Sequence, residues 1–402
     1  MNTVNRKRII IISHALELGG AERSLLGLLN AIDPELVEVD LFLLRHEGEL
    51  LKYIPNYINL LPEVKAYTVL ARPMKDTLRE GHVLLTAARL IGKISAKYYE
   101  KRNNLKSDDI QIEYSHKYTY RWMPLIQADQ EYDLAISFLT PHYIVANKVK
   151  AKKKIAWIHT DYSQIDVNIE SELKMWKVYD YIVSISDAVT TGFLKTFPSL
   201  ESKILLIENI LPEELIVRQS EMEDVSVEMS QYGIRLLSIG RFCTAKNFDN
   251  IPDICRRLCE KGLDVYWYII GFGNDEELVK QKIKENGIEK RVILLGKKEN
   301  PYPYIKCCDL YIQPSRFEGK CVSVREAQML VKPVIITNYP TATSQLENGI
   351  DGLIVPLNNR ECANALADIL KNAHQIDTIR NNCKMRDYSN HDEVKKIYKL
   401  LL

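Results

Sequence analysis

Short apolar runs alternate with helical patterns along most of this 402-residue chain. Such alternation is typical of parallel sheets in α/β domains. It occurs as two separate series, and a chain of this length is long for a single core. We therefore predict two Rossmann-like domains. The predicted strands are 8–13, 37–44, 133–138, 154–159, 181–185 and 204–207 in the first series, and 234–239, 264–270, 291–295 and 309–313 in the second.

The two series are separated by an acidic stretch without strong periodicity. We predict a first Rossmann-like domain over 1–215, a linker over 216–233 and a second Rossmann-like domain over 234–385. The remaining residues, 386–402, are predicted to form a helix that packs back on the first domain. Two such domains facing each other would hold a ligand in the cleft between the carboxyl ends of their strands.

Composition excludes several classes of protein. The chain is 46% hydrophobic and 27% charged with a net charge of +1, as in an ordinary globular protein, and a global basic field for nucleic acid is absent. The eight cysteines form no paired C-x2-C knuckles, so neither a metal site nor a secreted disulfide frame is expected. No apolar run reaches the roughly 18 residues of a membrane span. We expect a cytoplasmic protein with reduced thiols.

Two glutamates, Glu318 and Glu326, lie eight residues apart across an apparent strand-to-helix turn. The helix predicted over 322–331 would present free backbone N–H groups and the positive end of its dipole above the strand, which favours an anion. The two carboxylates flank that position and can accept hydrogen bonds from hydroxyl groups. Taken alone, the pair fits solvated glutamates at a helix start equally well.

Two cations, Arg241 and Lys246, lie in the loop that follows the first strand of the second series. A planar guanidinium and a compact ammonium can together neutralise a diphosphate without a metal ion. A single arginine or lysine in a loop is usually only solvated. A functional interpretation of Arg241 and Lys246 is favoured because the glutamate pair follows them within the same predicted domain.

These patterns resemble those of retaining family-4 glycosyltransferases with the GT-B fold, of the kind that build bacterial capsule, exopolysaccharide and lipopolysaccharide. Glu318 and Glu326 match the E-x7-E signature, Arg241 and Lys246 match R-x4-K, and the stretch 19–23 matches the GGAER start. The resemblance implies two Rossmann-like domains facing each other across a cleft, the first on the acceptor side and the second binding the nucleotide sugar.

The resemblance also implies roles for individual residues. Glu318 and His159 would contact the donor sugar, Glu326 the ribose, and Arg241 and Lys246 the departing diphosphate. The other implied donor-binding positions are Gly19, Gly20, Gly271, Gly273, Lys297, Gly319, Lys320, Cys321 and Val322. Lys320 and Cys321 depart from the family, which usually has Phe-Gly at this point. That departure affects the identity of the donor more than the class of reaction.

A basic amphipathic helix is predicted over 84–101. Its apolar residues share one face, and Arg89, Lys93, Lys97 and Lys101 recur on the opposite side. A second group of lysines lies at 148–154. Such surfaces attract anionic lipid, so contact with the inner face of the membrane is expected. A helix packed on the core with a solvated basic face remains an equal alternative.

The resulting hypothesis is a metal-independent retaining hexosyltransferase that needs no cofactor. It would use a nucleotide diphosphate sugar, with UDP the expected nucleotide, and a lipid-linked or saccharide acceptor. Two alternatives remain open: a GT-B sugar-nucleotide epimerase or hydrolase, and a non-catalytic glycosyltransferase-like partner subunit. Nucleic acid is not an expected partner, because the basic clusters lack interleaved stacking aromatics in a recognisable motif.

Overall fold

The computed structural model describes residues 6–105, 109–163 and 165–402. These residues divide into two compact units, each with its own apolar core. The first unit contains the described residues up to Ile210 together with His391–Leu402, and the second contains Leu211–Asn390.

In the described part of the first unit, seven parallel strands form one sheet in the order β3-β2-β1-β4-β5-β6-β7. Four consecutive isoleucines, 9–12, are buried in β1, an interior strand, because a parallel sheet is covered on both faces. The strands are β1 Lys7–Ser13, β2 Val37–Leu43, β3 Asn59–Leu60, β4 Tyr132–Ser137, β5 Ala151–Ile158, β6 Tyr181–Ser184 and β7 Ile204–Leu206. The helices of this unit up to residue 210 are α1 Gly20–Ala31, α2 Lys65–Thr68, α3 Met74–Arg79, α4 Val83–Asn103, α5 Asp109–Thr119, α6 Tyr143–Lys148, α7 Ile169–Trp176 and α8 Asp187–Thr196.

The second unit has a parallel sheet of six strands in the order β10-β9-β8-β11-β12-β13 among its described residues. The strands are β8 Ile234–Ile239, β9 Val265–Ile270, β10 Val292–Gly296, β11 Leu310–Gln313, β12 Val334–Thr337 and β13 Leu353–Val355. The helices are α9 Glu213–Gln219, α10 Ile251–Glu260, α11 Glu276–Glu285, α12 Tyr302–Cys307, α13 Val322–Met329, α14 Ala342–Gln345, α15 Asn359–Leu370 and α16 Ala373–Lys384. A further helix, α17 Val394–Leu400, belongs to the first unit.

Most of the predicted strands are confirmed to within three residues at each end. Helices α10, α11 and α12 follow β8, β9 and β10 in the chain, as the predicted alternation of strands and helices requires. Strands β3, β12 and β13 were outside the prediction. They have two, four and three residues, which is too short for a periodic signal to stand out.

The segment predicted as a linker, 216–233, is part of the second unit. Helix α9 overlaps its start, and three of its side chains, Ile216, Val225 and Met229, are buried in the core of that unit. The sequence shows no strong apolar periodicity here, because these three buried residues are widely spaced within an acidic stretch. The prediction of a free linker at this place is therefore corrected.

The C-terminal segment from His391 onward is assigned to the first unit. Val394, Ile397 and Leu400 of α17 are buried in the core of that unit. Lys153 Nζ donates a hydrogen bond to the Leu400 carbonyl at 2.7 Å, which satisfies one of the free carbonyls at the end of the helix. The apolar spacing of three residues produces the buried face of this short helix.

Helix α4 faces the opposite way from the sequence prediction. A stripe of small residues, Ala88, Gly92 and Ala96, is buried, and a Cβ on Gly92 would lie 2.9 Å from the Tyr114 carbonyl oxygen of α5. The small side chains therefore let α4 approach α5 closely. Leu85 is buried near the start of the helix, but five other large apolar side chains point outward and are about half to two thirds exposed: Leu84, Leu90, Ile91, Ile94 and Tyr98.

One residue of the predicted basic helix face, Arg89, is corrected. Arg89 is half-buried and its guanidinium donates to the carbonyls of Leu70 and Arg72, so it is unavailable to a membrane. Lys93, Lys97 and Lys101 are exposed. The lysines at 148–154 all have local partners, such as Asp133 at 2.8 Å from Lys152. No described helix is both long and apolar enough to cross a membrane.

A buried polar chain ties three strands of the second sheet together. Trp267 Nε1 in β9 donates to Ser238 Oγ in β8 at 2.9 Å, and Ser238 Oγ donates to the Ile312 carbonyl of β11 at 2.6 Å. Ser238 and Trp267 are fully buried. Each of these polar atoms therefore relies on its neighbour in the chain for a hydrogen bond, because water does not reach it.

Ser238→Ala is predicted to lower the free energy of unfolding by about 1–3 kcal/mol, because it leaves the buried Trp267 N–H without an acceptor. Denaturant unfolding compares this variant with Ser199→Ala, which removes an exposed hydroxyl. Equal stability of the two variants would contradict the structural role of this chain of hydrogen bonds.

Candidate active site

The predicted residues of the second unit lie in loops at one edge of its sheet. Gly240 and Arg241 follow β8, Gly271 follows β9, and Glu318 lies in the loop between β11 and α13. Because all strands are parallel, their carboxyl ends meet at the same edge, where ligands of α/β sheets usually bind.

Gly271 and Gly273 allow two of these loops to touch. Both have φ of +151°, and a Cβ on Gly271 would lie 1.8 Å from the Gly240 carbonyl oxygen. A Cβ on Gly273 would lie 2.3 Å from the Phe242 carbonyl oxygen. The backbone N–H of Phe242 donates to the Phe272 carbonyl at 2.8 Å. The G-x-G turn is therefore required for close backbone packing beside the loop that carries Arg241 and Lys246.

Lys246 and Glu318 form the centre of this site. Lys246 Nζ lies 2.5 Å from Glu318 Oε1, and the two side chains are 19% and 11% exposed. Ser315 Oγ donates to the same carboxylate oxygen at 2.6 Å. Burial lowers the pKa of Lys246, but the neighbouring Cys321 and Glu318 raise it by more, so the pKa ends above its ordinary value. The lysine therefore stays cationic at neutral pH.

The loop from Glu318 to Cys321 is fixed by helix α14 and the residue before it. The Glu318 carbonyl accepts a hydrogen bond from Thr341 Oγ1 at 2.7 Å, and Lys320 Nζ donates to the Ser344 carbonyl at 2.7 Å. The backbone N–H of Cys321 donates to Gln345 Oε1 at 2.7 Å. Gly319 lies inside this braced segment, so the loop is held without any ligand.

Cys321 is the N-cap residue of α13, and Val322 is the first residue of that helix. Cys321 Sγ lies 3.9 Å from Lys246 Nζ, which places the helix start next to the Lys246–Glu318 pair. Burial and the charge of Glu318 raise the pKa of the Cys321 thiol, so it stays neutral near pH 7. Near pH 7 the negative partner of Lys246 is therefore the carboxylate of Glu318, and Cys321 raises the pKa of the lysine only where the thiol itself is ionised.

Glu326 lies inside α13 and is only 1% exposed. Tyr302 Oη of α12 donates to Glu326 Oε1 at 2.8 Å. A buried carboxylate needs such donors, because it has lost its water. The predicted ribose contact thus falls on a carboxylate whose position is already fixed by a second helix.

Arg241 and Lys297 lie on the solvent side of these loops. Arg241 is exposed and has no hydrogen bond or ion pair within the described ranges, so the structure does not join it to Lys246. Lys297 Nζ lies 5.2 Å from the centroid of the Phe272 ring, which places it beside the G-x-G turn. A cation over an aromatic face is a weakly favourable contact at an exposed position.

The predicted residues of the first unit occupy strand ends of its own sheet. Gly19 is the N-cap of α1 and Gly20 is its first residue, in the loop after β1. The first N–H groups of a helix have no partner within it, so this end can accept an anion. The extended backbone of Gly19, with φ of −150°, is open to any residue.

His159 follows β5 and packs between two aromatic side chains. Its ring centroid lies 4.6 Å from that of Phe138 and 6.3 Å from that of Trp157. Nε2 is buried and has no hydrogen-bond partner among the described residues. Burial lowers the pKa of His159 to about 3, against a smaller opposing effect of a backbone hydrogen bond to Phe138. The imidazole is therefore neutral and retains one unused polar position.

Residues missed by the sequence analysis include Ser315, Tyr302 and Gln345, which position Glu318, Glu326 and the helix start respectively. Ser315 could have been found as a polar residue just after a strand. Tyr302 and Gln345 give no such signal, because only the folded chain brings them near their partners.

Residues 227–399 match the family model described as Glycosyl transferases group 1. This segment is therefore similar to the members of that family. The matched segment contains both members of the Lys246–Glu318 pair, as well as Arg241 and Glu326.

Two curated relatives are glycosyltransferases of bacteria. The chain is 22% identical over 188 residues to UDP-Gal:alpha-D-GlcNAc-diphosphoundecaprenol alpha-1,3-galactosyltransferase of Escherichia coli, covering 46% of this chain and 48% of that protein. It is 25% identical over 263 residues to amylovoran biosynthesis glycosyltransferase AmsK of Erwinia amylovora, covering 58% and 64%. These matches span about half to two thirds of the relatives' lengths.

Solved structures resemble the chain over nearly its whole length. HepE of Anabaena in complex with UDP-glucose has a TM-score of 0.68 and 14% identity, covering 98% of this chain and 99% of that chain. A glycosyltransferase from Rickettsia africae ESF-5 has a TM-score of 0.68 and 16% identity, covering 99% and 98%. At such low identity the likeness concerns the fold. The predicted class, α/β GT-B with two Rossmann-like domains, is confirmed.

The buried histidines predict a pH-dependent stability. Burial lowers the pKa of His159 to about 3, and burial together with Arg45 lowers that of His14 to about 4. Each folded pKa is below the unfolded value of 6.5, so the unfolded chain takes up the proton first. The stabilisation is complete above pH 6.5 and is lost as pH falls toward the folded pKa.

His159→Asn is therefore expected to reduce the dependence of the unfolding free energy on pH by up to about 1.4 kcal/mol per pH unit near pH 5. Denaturant unfolding at pH 7, 6 and 5 measures this slope. His374→Asn, at an exposed position, is the matched control and should leave the slope unchanged. An unchanged slope in His159→Asn would show that this imidazole is accessible to protons in the folded state.

Proposed function

We propose that this protein is a metal-independent retaining glycosyltransferase. It transfers a hexose from a UDP-hexose to a lipid-linked or saccharide acceptor during the assembly of a bacterial surface polysaccharide. The observation that carries the proposal is the Lys246–Glu318 contact at the start of α13, within the segment that matches the group 1 glycosyltransferase model.

The proposed chemistry has one bond breaking and one forming at the anomeric carbon of the sugar. The bond to the diphosphate oxygen breaks, and UDP departs with additional negative charge. The acceptor hydroxyl attacks from the same face and its proton passes to the departing diphosphate. Arg241 and Lys246 stabilise the developing charge, together with the N–H groups at Gly19 and Gly20. Groups placed where charge develops often give the largest catalytic effect.

The remaining residues bind and orient the donor. Glu318 accepts hydrogen bonds from the sugar hydroxyls, His159 forms a hydrogen bond with one of them, and Glu326 holds the ribose. Gly271, Gly273 and Lys297 line the nucleotide, while residues 319–322 present the helix start to the diphosphate. His159 suits this task because its buried Nε2 has an unused hydrogen-bonding position in the described structure.

The names of related proteins support UDP and a lipid-linked acceptor. The Escherichia coli relative is named for UDP-Gal and a diphosphoundecaprenol acceptor, and HepE was solved with UDP-glucose. A Campylobacter jejuni relative, 26% identical over 202 residues, is also named for a diphospho-undecaprenol acceptor. We extend these properties to this chain as part of the proposal.

Arg241→Ala and Lys246→Met are each expected to lower turnover at least about a hundredfold, the scale of losing one group that stabilises charge in a transition state. The assay measures nucleotide release from a panel of nucleotide sugars, with UDP-glucose and UDP-galactose included, in the presence and absence of EDTA. Arg241 is the sharper test, because its exposed side chain has no bond among the described residues that its removal would break.

Arg360→Ala, at an exposed arginine near the start of α15, is the matched control and should retain normal turnover. Near-normal turnover in both site variants would remove the leaving-group assignment. Activity lost in EDTA and restored by magnesium would remove metal independence. Free sugar released in the presence of good acceptors would favour the hydrolase alternative, and absence of donor binding would favour a non-catalytic partner.

We further propose that the protein visits the inner face of the membrane through α4. The helix exposes a strip of large apolar residues with Lys93, Lys97 and Lys101 beside it and near its end. An exposed apolar strip flanked by lysines suits the boundary between anionic headgroups and acyl chains. The apolar residues enter the lipid, whereas the sequence alone indicated contact through the basic residues, Arg89 among them.

Liposomes rich in anionic lipid are expected to sediment the protein, and sedimentation should weaken as salt rises because the lysine contribution is screened. Replacing Ile94 and Tyr98 by serine should abolish sedimentation even at low salt, since apolar insertion is lost. Lys371→Glu with Lys384→Glu, two exposed lysines of the second unit, is the control. Equal sedimentation of the serine variant and the wild type would exclude α4 as the contact.

A further inference from the structure

The first unit contains a cavity of about 760 Å³ that the proposed donor site does not use. Its lining comes from α4, the end of α5 with the turn that follows, and α6 and α7. The volume lies within the range of roughly 300–1,000 Å³ that is typical of small-molecule sites.

One wall of the cavity is apolar and belongs to α4. Leu84, Ala87 and Ile91 line it, and Leu84 and Ile91 are 59% and 53% exposed. The same two residues begin the outward apolar strip of α4, which continues through Ile94 and Tyr98. The cavity is thus continuous with the surface that we propose to enter the membrane, so a hydrocarbon chain could pass from one to the other without crossing water.

The other side of the cavity carries an excess of positive charge. Among the described lining residues, Lys117, Arg121 and Lys174 are opposed by one carboxylate, Glu170. Glu170 pairs with Lys174 at 2.7 Å, but both side chains are more than 70% exposed, so this pair is weak. Lys117 Nζ donates to the neutral hydroxyl of Ser171 at 2.6 Å. Lys117 also lies close enough to Glu113 and Glu170 to favour their charged forms. The excess positive charge is therefore carried mainly by Arg121, which has no carboxylate partner among the described residues.

The base of the cavity is rigid. Tyr143 Oη donates to the buried carboxylate of Glu113, and Ser171 Oγ donates to the same carboxylate at 2.7 Å. The Tyr143 ring stacks on that of Tyr120 with centroids 5.8 Å apart and an angle of 12° between the planes. These contacts hold the aromatic rings in place, so the cavity exists before a ligand arrives.

We propose that this cavity binds the lipid end of the acceptor, as a hydrocarbon chain joined to a phosphate or diphosphate. The chain lies along Leu84 and Ile91, and the phosphate lies at Lys117 and Arg121. An apolar wall beside a cationic wall matches a molecule with these two parts. A saccharide would leave the apolar wall unpaired, and a neutral lipid would leave the cations unused. The inference rests on the proposed transfer to a lipid-linked acceptor and names where its lipid is held.

The test uses farnesyl diphosphate, which carries both parts, at concentrations below micelle formation. Inorganic diphosphate and farnesol supply each part alone. Binding is followed by tryptophan fluorescence, because Trp122 lines the cavity and is 53% exposed, whereas Trp157, Trp176 and Trp267 are buried. Farnesyl diphosphate should bind saturably, and each single-part probe at least about tenfold more weakly.

Two matched variants separate the cavity from the membrane strip. Ile91→Glu places a carboxylate in the apolar wall and should weaken binding of farnesyl diphosphate at least about tenfold. The carboxylate repels the diphosphate and removes the apolar contact with the hydrocarbon chain. Ile94→Glu introduces the same change one turn along the exposed strip, outside the lining, and should leave binding unchanged. Lys117→Met should weaken farnesyl diphosphate while leaving farnesol unaffected.

Equal binding of inorganic diphosphate would reduce the cavity to an anion site, and equal binding of farnesol would reduce it to an apolar groove. Either result, or equal weakening by Ile91→Glu and Ile94→Glu, overturns the inference, as does the absence of binding by every probe. Nucleotide release from UDP-sugars by the unaltered protein is scored separately. Its absence counts against the proposed transferase, whereas farnesyl diphosphate binding is measured without any nucleotide sugar.

Discussion

Parallel pairing of β8 with β9 and β11 places the carboxyl ends of these strands at one edge of the second sheet, and the candidate site depends on that edge. Lys246 and Glu318 are far apart in the sequence, yet their loops leave neighbouring strands and meet at 2.5 Å. Close approach requires glycine at positions 271 and 273, where any Cβ would strike the backbone of the adjacent loop. The Lys246–Glu318 ion pair therefore depends on both the parallel order of the strands and the two glycines.

The two-domain α/β class was predictable because buried parallel strands are continuously apolar, which leaves a strong local signal. The position of Lys246 and Glu318 at one edge of the sheet was predictable for a similar reason, since both lie just beyond such strands; their roles in a site remain predictions. Tyr302 and Gln345 were not, although they position Glu326 and the start of α13. Their partners lie 24 residues away in the sequence, so only tertiary packing brings these groups together.

Helix α4 shows a different limit of sequence reasoning. Its periodicity correctly indicates an amphipathic helix, but periodicity does not say which face is turned inward. The usual rule buries the large apolar side chains, whereas here Ala88, Gly92 and Ala96 are buried because α5 approaches too closely for larger ones. The linker prediction for the acidic segment around Val225 and Met229 was wrong for a different reason. Burial of these two isolated apolar residues is enough to hold a mostly polar segment against the core.

The ion pair also determines how the candidate site can attract a diphosphate. The charge of Lys246 is already balanced by Glu318 at 2.5 Å, and the elevated pKa of the lysine keeps that balance at neutral pH. The pair by itself therefore adds little net positive charge. The exposed Arg241 and the N-terminus of α13 supply the attraction that remains, and both lie at the same edge of the sheet. In the site that we propose, Lys246 acts as a fixed, desolvated charge whose carboxylate partner can turn to the sugar as the phosphate approaches, while Arg241 provides the excess charge that draws the anion in.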